Sequence, residues 1–226
     1  MNKKILISLA LLLSTLSLFS VSTSFYTDDS IRDFQNGNLD RIMVSEDGKL
    51  SIAPEAKLLL NRGELFVWDL ARDSAGNIYA ATGTQGAIYK IPAKGEPALF
   101  FRLPEGSIRA IVAGPDDSLY AASSPQGKLL RIGSDGKARE LCAFAETYVW
   151  DMVADRNGNM LVATGTPARI YRISPATGKK ELLYGSDKES HFLCLAVNSA
   201  GTLFFGSSGL GALYKKEENR ETRLLF

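Results

Sequence analysis

One strand-like segment recurs along this chain at a fixed spacing, and that spacing limits the fold more than composition does. Phe66-Val67-Trp68-Asp69-Leu70-Ala71 returns as Tyr148-Val149-Trp150-Asp151-Met152-Val153, 82 positions on, which is two steps of 41. One step of 41 lands on Ser107-Ile108-Arg109-Ala110-Ile111-Val112, the same apolar segment with different decoration. A second segment keeps register: Ala80-Ala81-Thr82-Gly83, Ala121-Ala122-Ser123-Ser124 and Val162-Ala163-Thr164-Gly165. A fourth copy, Phe192-Leu193-Cys194-Leu195-Ala196-Val197 with Phe204-Phe205-Gly206-Ser207, is offset by 43 because its preceding loop is two residues longer. A fixed period of 20 to 50 residues marks a tandem-repeat architecture.

Inside one unit, four short β-rich runs alternate with turn chemistry. Val67 to Ala71 precedes Asp73-Ser74-Ala75-Gly76-Asn77; Ile78 to Ala81 precedes Gly83-Thr84-Gln85-Gly86; Ala87 to Ile91 and Ala98 to Phe101 follow across a Pro/Gly loop. Runs of four to six residues bounded by Gly, Asn and Asp are strands joined by tight hairpins. Four antiparallel strands in each 41-residue unit predict an all-β fold, a β-propeller of four-stranded blades. Neighbouring blades cover both faces of each sheet, so strict apolar/polar alternation gives way to runs such as Ile78-Tyr79-Ala80-Ala81. Tyr79, Tyr89, Tyr120, Tyr171 and Tyr214 recur at equivalent or nearby strand positions, where they fill space between blades with their hydroxyls reaching the rim.

The pattern predicts full blades at 64–103, 104–144, 145–186 and 187–226, after a linker at 25–36 and a partial blade at 37–63. The partial blade holds a hairpin from Met43 to Ile52, turning at Asp47-Gly48, and a further strand from Lys57 to Leu60. Two closures fit this count. A five-bladed ring forms if the N-terminal segment from Phe25-Tyr26 onward supplies the missing strand; otherwise the chain is an open arc or a shortened version of a larger propeller.

The first 24 residues differ from all that follow. A basic start at Lys3-Lys4, an apolar run from Ile5 to Phe19 and a small polar stretch from Ser20 to Ser24 have the layout of a secretory signal peptide, with a cut expected between Ser24 and Phe25. As a helix the run reaches about 22 Å, short of the roughly 30 Å of a bilayer's hydrocarbon. A secreted or periplasmic protein is therefore expected, without stable membrane insertion after cleavage, and no Cys near the run offers a lipid attachment point. The chain of 226 residues is 45% hydrophobic and 23% charged, ordinary for a domain that buries a core. Its net charge of +1 drops by two with the leader's lysines, which leaves no electrostatic case for nucleic acid. Cys142 falls in an outer strand and Cys194 in an inner strand two blades on, too far apart for a disulfide, so two buried thiols are expected.

The blade pieces Val67-Trp68-Asp69-Leu70, Asp73 to Tyr79, Ala81-Thr82-Gly83 with Gly86, and Ile170-Tyr171-Arg172-Ile173 resemble those of bacterial secreted propeller proteins of the NHL-like and gluconolactonase/regucalcin-like superfamily. The resemblance covers roughly residues 37–226 and implies a propeller fold; it implies no single activity, since propellers host many. The Trp-Asp pair lies in the first strand of the unit, not at the end of the third as in WD-repeat proteins.

The candidate ligand-binding residues are Trp68, Asp69, Arg109, Trp150, Asp151 and His191. Asp69 and Asp151 stand at equivalent places on inner strands two blades apart, each beside a Trp, so carboxylates at the channel mouth can bind a divalent cation or polar ligand while indoles offer stacking surfaces. The alternative is that each Asp accepts a hydrogen bond from a neighbouring loop and each Trp packs between blades, since residues repeated across units usually serve packing. A lactonase of the resembled type needs carboxylates and amides converging on one metal, and only these two Asp are placed for it. No catalytic residue and no cofactor is predicted. Asp73 to Asn77 and Asp155 to Asn159 read as Asx turns, not calcium loops. His191 begins the first strand of the fourth full blade, at the position of Phe66, Ser107 and Tyr148; it has no nucleophile motif beside it and reads as a loop or rim residue. Lys215 to Glu221, mixed in sign, reads as a solvated hairpin turn. The expectation is a scaffold or binding protein presenting its loop faces to a protein, peptide or carbohydrate; the alternatives are a metal-assisted lactonase and a truncated chain without independent function.

Overall fold

A computed structural model of the chain describes Arg32 and residues 40–54, 57–61, 63, 66–83 and 85–226. The expected signal peptide and most of the expected linker lie outside the described residues. Two compact units divide at Lys57/Leu58. In the first, β1 (Ile42–Val44) and β2 (Leu50–Ile52) pair as an antiparallel hairpin, and Gly48 donates to the Ser45 carbonyl at 2.9 Å to close its turn. The expected strand from Lys57 to Leu60 is absent: no described strand pairs with it, and an extended segment without a ladder partner is not a strand.

The second unit contains four successive meanders. The first runs β3 (Val67–Arg72), β4 (Ile78–Thr82), β5 (Ala87–Ile91) and β6 (Ala98–Arg102); the second runs β7 (Ser107–Ala113), β8 (Leu119–Ser124), β9 (Lys128–Ile132) and β10 (Ala138–Ala143). The third runs β11 (Tyr148–Ala154), β12 (Met160–Gly165), β13 (Ala168–Ile173) and β14 (Lys180–Ser186). The fourth runs β15 (His191–Val197), β16 (Leu203–Ser208), β17 (Leu213–Lys216) and β18 (Arg223–Leu224). Every strand pair within a meander is antiparallel. The third and fourth sheets touch through one bridge, Gly165 to His191. These are the blades that the repeat predicts.

Turn chemistry sets the first hairpin of each blade. Asp73 Oδ1 accepts from the Asn77 amide at 2.8 Å, and Asp155 Oδ1 accepts from the Asn157 and Asn159 amides at 2.8 and 2.9 Å. These are the Asx turns that the sequence implies, with Asn198 repeating the pattern toward Thr202 at 2.9 Å.

Three apolar layers hold successive blades together. Ile88, Ile108 and Leu119 fill the first, Leu129, Val149 and Met160 the second, and Ile170, Phe192 and Phe205 the third. All nine are buried, and each contributes about 1.5–3 kcal/mol relative to exposure. Three of the recurring tyrosines enter or pack against these layers with their hydroxyls hydrogen-bonded to carboxylates. Tyr79 donates to Asp73 at 3.2 Å, Tyr171 to Glu146 at 2.8 Å and Tyr214 to Glu189 at 3.0 Å. Buried phenols need an acceptor, and a carboxylate is the strongest on offer.

Both cysteines are free; Cys142 is only half-buried and Cys194 is exposed, so the expectation of two buried thiols fails. Among the described residues the strand of Cys194 packs beside one other first strand, β11 (Tyr148–Ala154). Lys215 and Lys216 extend the strand β17, and the turn begins only at Glu217, whose carbonyl accepts from Arg220. Among the described residues no helix is long and apolar enough to cross a membrane.

Candidate functional site

The first strands β3, β7, β11 and β15 lie side by side, one from each blade, and form the inner wall of the assembly. Each carries a one-residue register shift at the same point: between Val67 and Asp69, Ile108 and Ala110, Val149 and Asp151, and Phe192 and Cys194. The residues left without a ladder partner are Trp68, Arg109, Trp150 and Leu193. A bulge bends the strand and re-aims one side chain, so four equivalent side chains leave the pleat pattern together.

Three of the four meet. The Arg109 guanidinium carbon lies 3.8 Å from the ring centroid of Trp68 and 4.9 Å from that of Trp150, so the cation is held between two indoles from the flanking blades. Such contacts are worth about 0.5–2 kcal/mol each, more as water is excluded. Phe66 stacks on Trp68 at 5.2 Å and Tyr148 on Trp150 at 5.4 Å, extending the array on both sides. Trp150 Nε1 donates to His191 Nδ1 at 3.1 Å, which requires that nitrogen to be unprotonated. His191 opens β15, as the repeat register places it, and joins this cluster: it stands opposite Gly165, where the indole reaches it.

Glycine clears the space for each indole. A Cβ on Gly83 would sit 1.9 Å from Trp68 Nε1; one on Gly165 would sit 2.5 Å from Trp150 Nε1 and 1.9 Å from His191 Nδ1. At the same places in the other two blades, where Arg109 and Leu193 replace Trp, stand Ser124 and Ser208. Odd and even blades thus differ in a coupled way. That pairing of Trp with Gly was present in the sequence and is the signal by which Phe66, Tyr148, Gly83 and Gly165 join the site.

Asp69 and Asp151 work between blades. Asp69 accepts from its own Leu70 amide and from the Ile111 amide of the next blade, both at 2.7 Å; Asp151 accepts from Met152 at 2.7 Å and Leu195 at 2.6 Å. The partner is a neighbouring strand, not the loop that the packing alternative invoked. Burial pushes both carboxyls above the usual range, the amide bonds pull back, and the charge of Asp69 adds to the rise at Asp151. Burial also lowers the Arg109 guanidinium from its ordinary value. A groove of about 420 Å³ runs over both Asp and includes Arg72, Ile111 and Met152 in its lining. Among the described residues no three of His, Cys, Asp and Glu converge as metal ligands. The six residues singled out in the sequence thus form two sets: Trp68, Arg109, Trp150 and His191 meet as one cluster, while Asp69 and Asp151 serve the inner-strand contacts.

No protein-family model matches the chain, and no curated protein does. Solved structures do. A virginiamycin B lyase from Staphylococcus aureus is similar with a TM-score of 0.66 at 18% identity over 81% of this chain and 61% of that one. A gluconolactonase from Xanthomonas campestris is similar with a TM-score of 0.60 at 12% identity, covering 70% and 62% of the two chains. A chain of a nidogen/laminin complex gives 0.65 at 17%, covering 75% and 68%. The chain spans about three fifths of the length of the lyase and the gluconolactonase. At these identities the likeness shows the fold: the four meanders are blades of a β-propeller, as in these structures.

Proposed function

We propose that this chain is an exported propeller-type binding protein, and that the face carrying Phe66, Trp68, Arg109, Tyr148 and Trp150 receives its protein, peptide or carbohydrate partner. The observation that carries this reading is the exposure of the array. Phe66 is 51% exposed, Trp68 41% and Tyr148 37%, although all three are stacked and held. Exposed large aromatics grouped around one arginine are the composition of a recognition surface, where rigid side chains lose little entropy on binding. The nidogen/laminin complex, a propeller engaged with a protein, gives this only weak additional support. Export rests on the leader read in residues 1–24.

A metal-assisted lactonase at Asp69 and Asp151 has less in its favour. Each carboxylate already holds two backbone amides, and a cation would have to compete with bonds that join the blades.

Screening the mature protein on glycan and peptide arrays, followed by calorimetry with the best binder, tests the proposal. Trp68→Ala should weaken binding by at least about tenfold while leaving the far-UV spectrum unchanged. Unaltered affinity in that variant, or blank arrays, would overturn it.

A further inference from the structure

Arg109 is a half-buried cation that lies against two indoles. Among the described residues its side chain has no hydrogen-bond acceptor and no ion-pair partner; its contacts are the two indoles. The guanidinium's five N–H groups lie in its plane, and contact with the rings satisfies none of them with an acceptor. The two carboxylates on the first strands, Asp69 and Asp151, are engaged with backbone amides. The cation is half-buried, so it has lost part of its water without gaining a counter-ion.

The geometry around it is fixed in advance. Gly83 and Gly165 let the indoles lie close over the second strands, and the bond to His191 pins Trp150. A planar fork of donors held in one orientation suits a carboxylate, which it can grip with two parallel bonds. Phe66, Trp68 and Tyr148 are exposed, so flat aromatic surface lies beside the fork. A flat-faced ring bearing a carboxylate fits that arrangement better than a side chain seeking an enclosed pocket.

We propose that Arg109 binds the carboxylate of an acidic sugar, with the flanking rings of the oligosaccharide laid against the exposed parts of Phe66, Trp68 and Tyr148. This rests on the binding-face reading above and specifies its ligand class.

The test is calorimetry of the mature protein with a uronic-acid trisaccharide, its methyl-esterified neutral counterpart, and a tripeptide with a free C-terminal carboxylate. The acidic sugar should bind at least about tenfold more tightly than the neutral one, and less tightly as salt is raised. Arg109→Gln should abolish that preference; Arg109→Lys, which keeps the charge without the fork, should retain part of it, and serves if Arg109→Gln does not fold. Equal binding of both sugars, with Arg109→Gln silent but Trp68→Ala damaging, would overturn this inference and leave the binding face intact. Binding of the peptide alone would also overturn it, by assigning the fork to a chain terminus. Failure of every probe on both calorimetry and arrays would remove the binding face itself.

Discussion

Trp68 lies across Gly83 so closely that a methyl group there would overlap the indole nitrogen at 1.9 Å. The indole is partly exposed and can swing away, so the fold gives less than the site does. Gly83→Ala should therefore cost under about 1 kcal/mol in stability while releasing Trp68 from Arg109. Tryptophan emission should shift to the red, and chemical denaturation should show a nearly unchanged midpoint. Gly165→Ala meets two half-buried rings, Trp150 and His191, and should cost more, about 1–3 kcal/mol.

The bond from the Ile111 amide to Asp69 crosses from one blade to the next at 2.7 Å, and Ile111 is only 2% exposed. Asp69→Ala leaves that amide without its acceptor. A loss of about 1–3 kcal/mol is expected from urea unfolding, and Asp151→Ala should lose a similar amount through Leu195. A change below about 0.5 kcal/mol would show that water replaces the carboxylate at no cost.

Tyr171→Phe and Tyr214→Phe should differ. Glu146 is 5% exposed, and its second oxygen has no partner among the described residues, so removing the Tyr171 hydroxyl strips its one side-chain contact. Glu189 retains the Leu210 amide at 3.4 Å when Tyr214 is changed. Tyr171→Phe is thus expected to cost about 1–3 kcal/mol and Tyr214→Phe less, measured by thermal or urea unfolding.

The same two phenols predict an alkaline limit. Desolvation, followed by the adjacent carboxylate, pushes Tyr171 and Tyr214 up to about 12. Their folded values lie above the unfolded value near 10, so the folded state holds these protons more tightly. Their contribution is complete below pH 10 and is lost as pH rises toward 12. Unfolding midpoints should fall across that window, and the double Phe variant should fall less steeply.

The blades were legible because their apolar runs and Asx turns recur every 41 residues; β5 was read at Ala87–Ile91 and forms there. The meeting of Trp68, Arg109 and Trp150 was not, because a bulge in each first strand aims them, and a bulge depends on the pairing of two strands and not on one. Strand alternation alone would have left Trp68 and Arg109 as unrelated positions. Lys57 to Leu60 shows the opposite failure: an apolar run of strand length that finds no partner. Cys194 shares a strand position with Asp69, Ala110 and Asp151; Ala110 is buried between two neighbouring first strands, whereas among the first strands of the described residues β15 packs beside β11 alone, which leaves Cys194 exposed.

The two tryptophans of the chain both touch Arg109, which makes the cluster directly observable. Nitrogen-resolved NMR should follow the two indole N–H signals and the Arg109 Nε–H signal during titration with whichever glycan or peptide the arrays select. The account predicts that all three move together and saturate at one affinity. A saturating ligand that shifts other amides and leaves these three in place would contradict it.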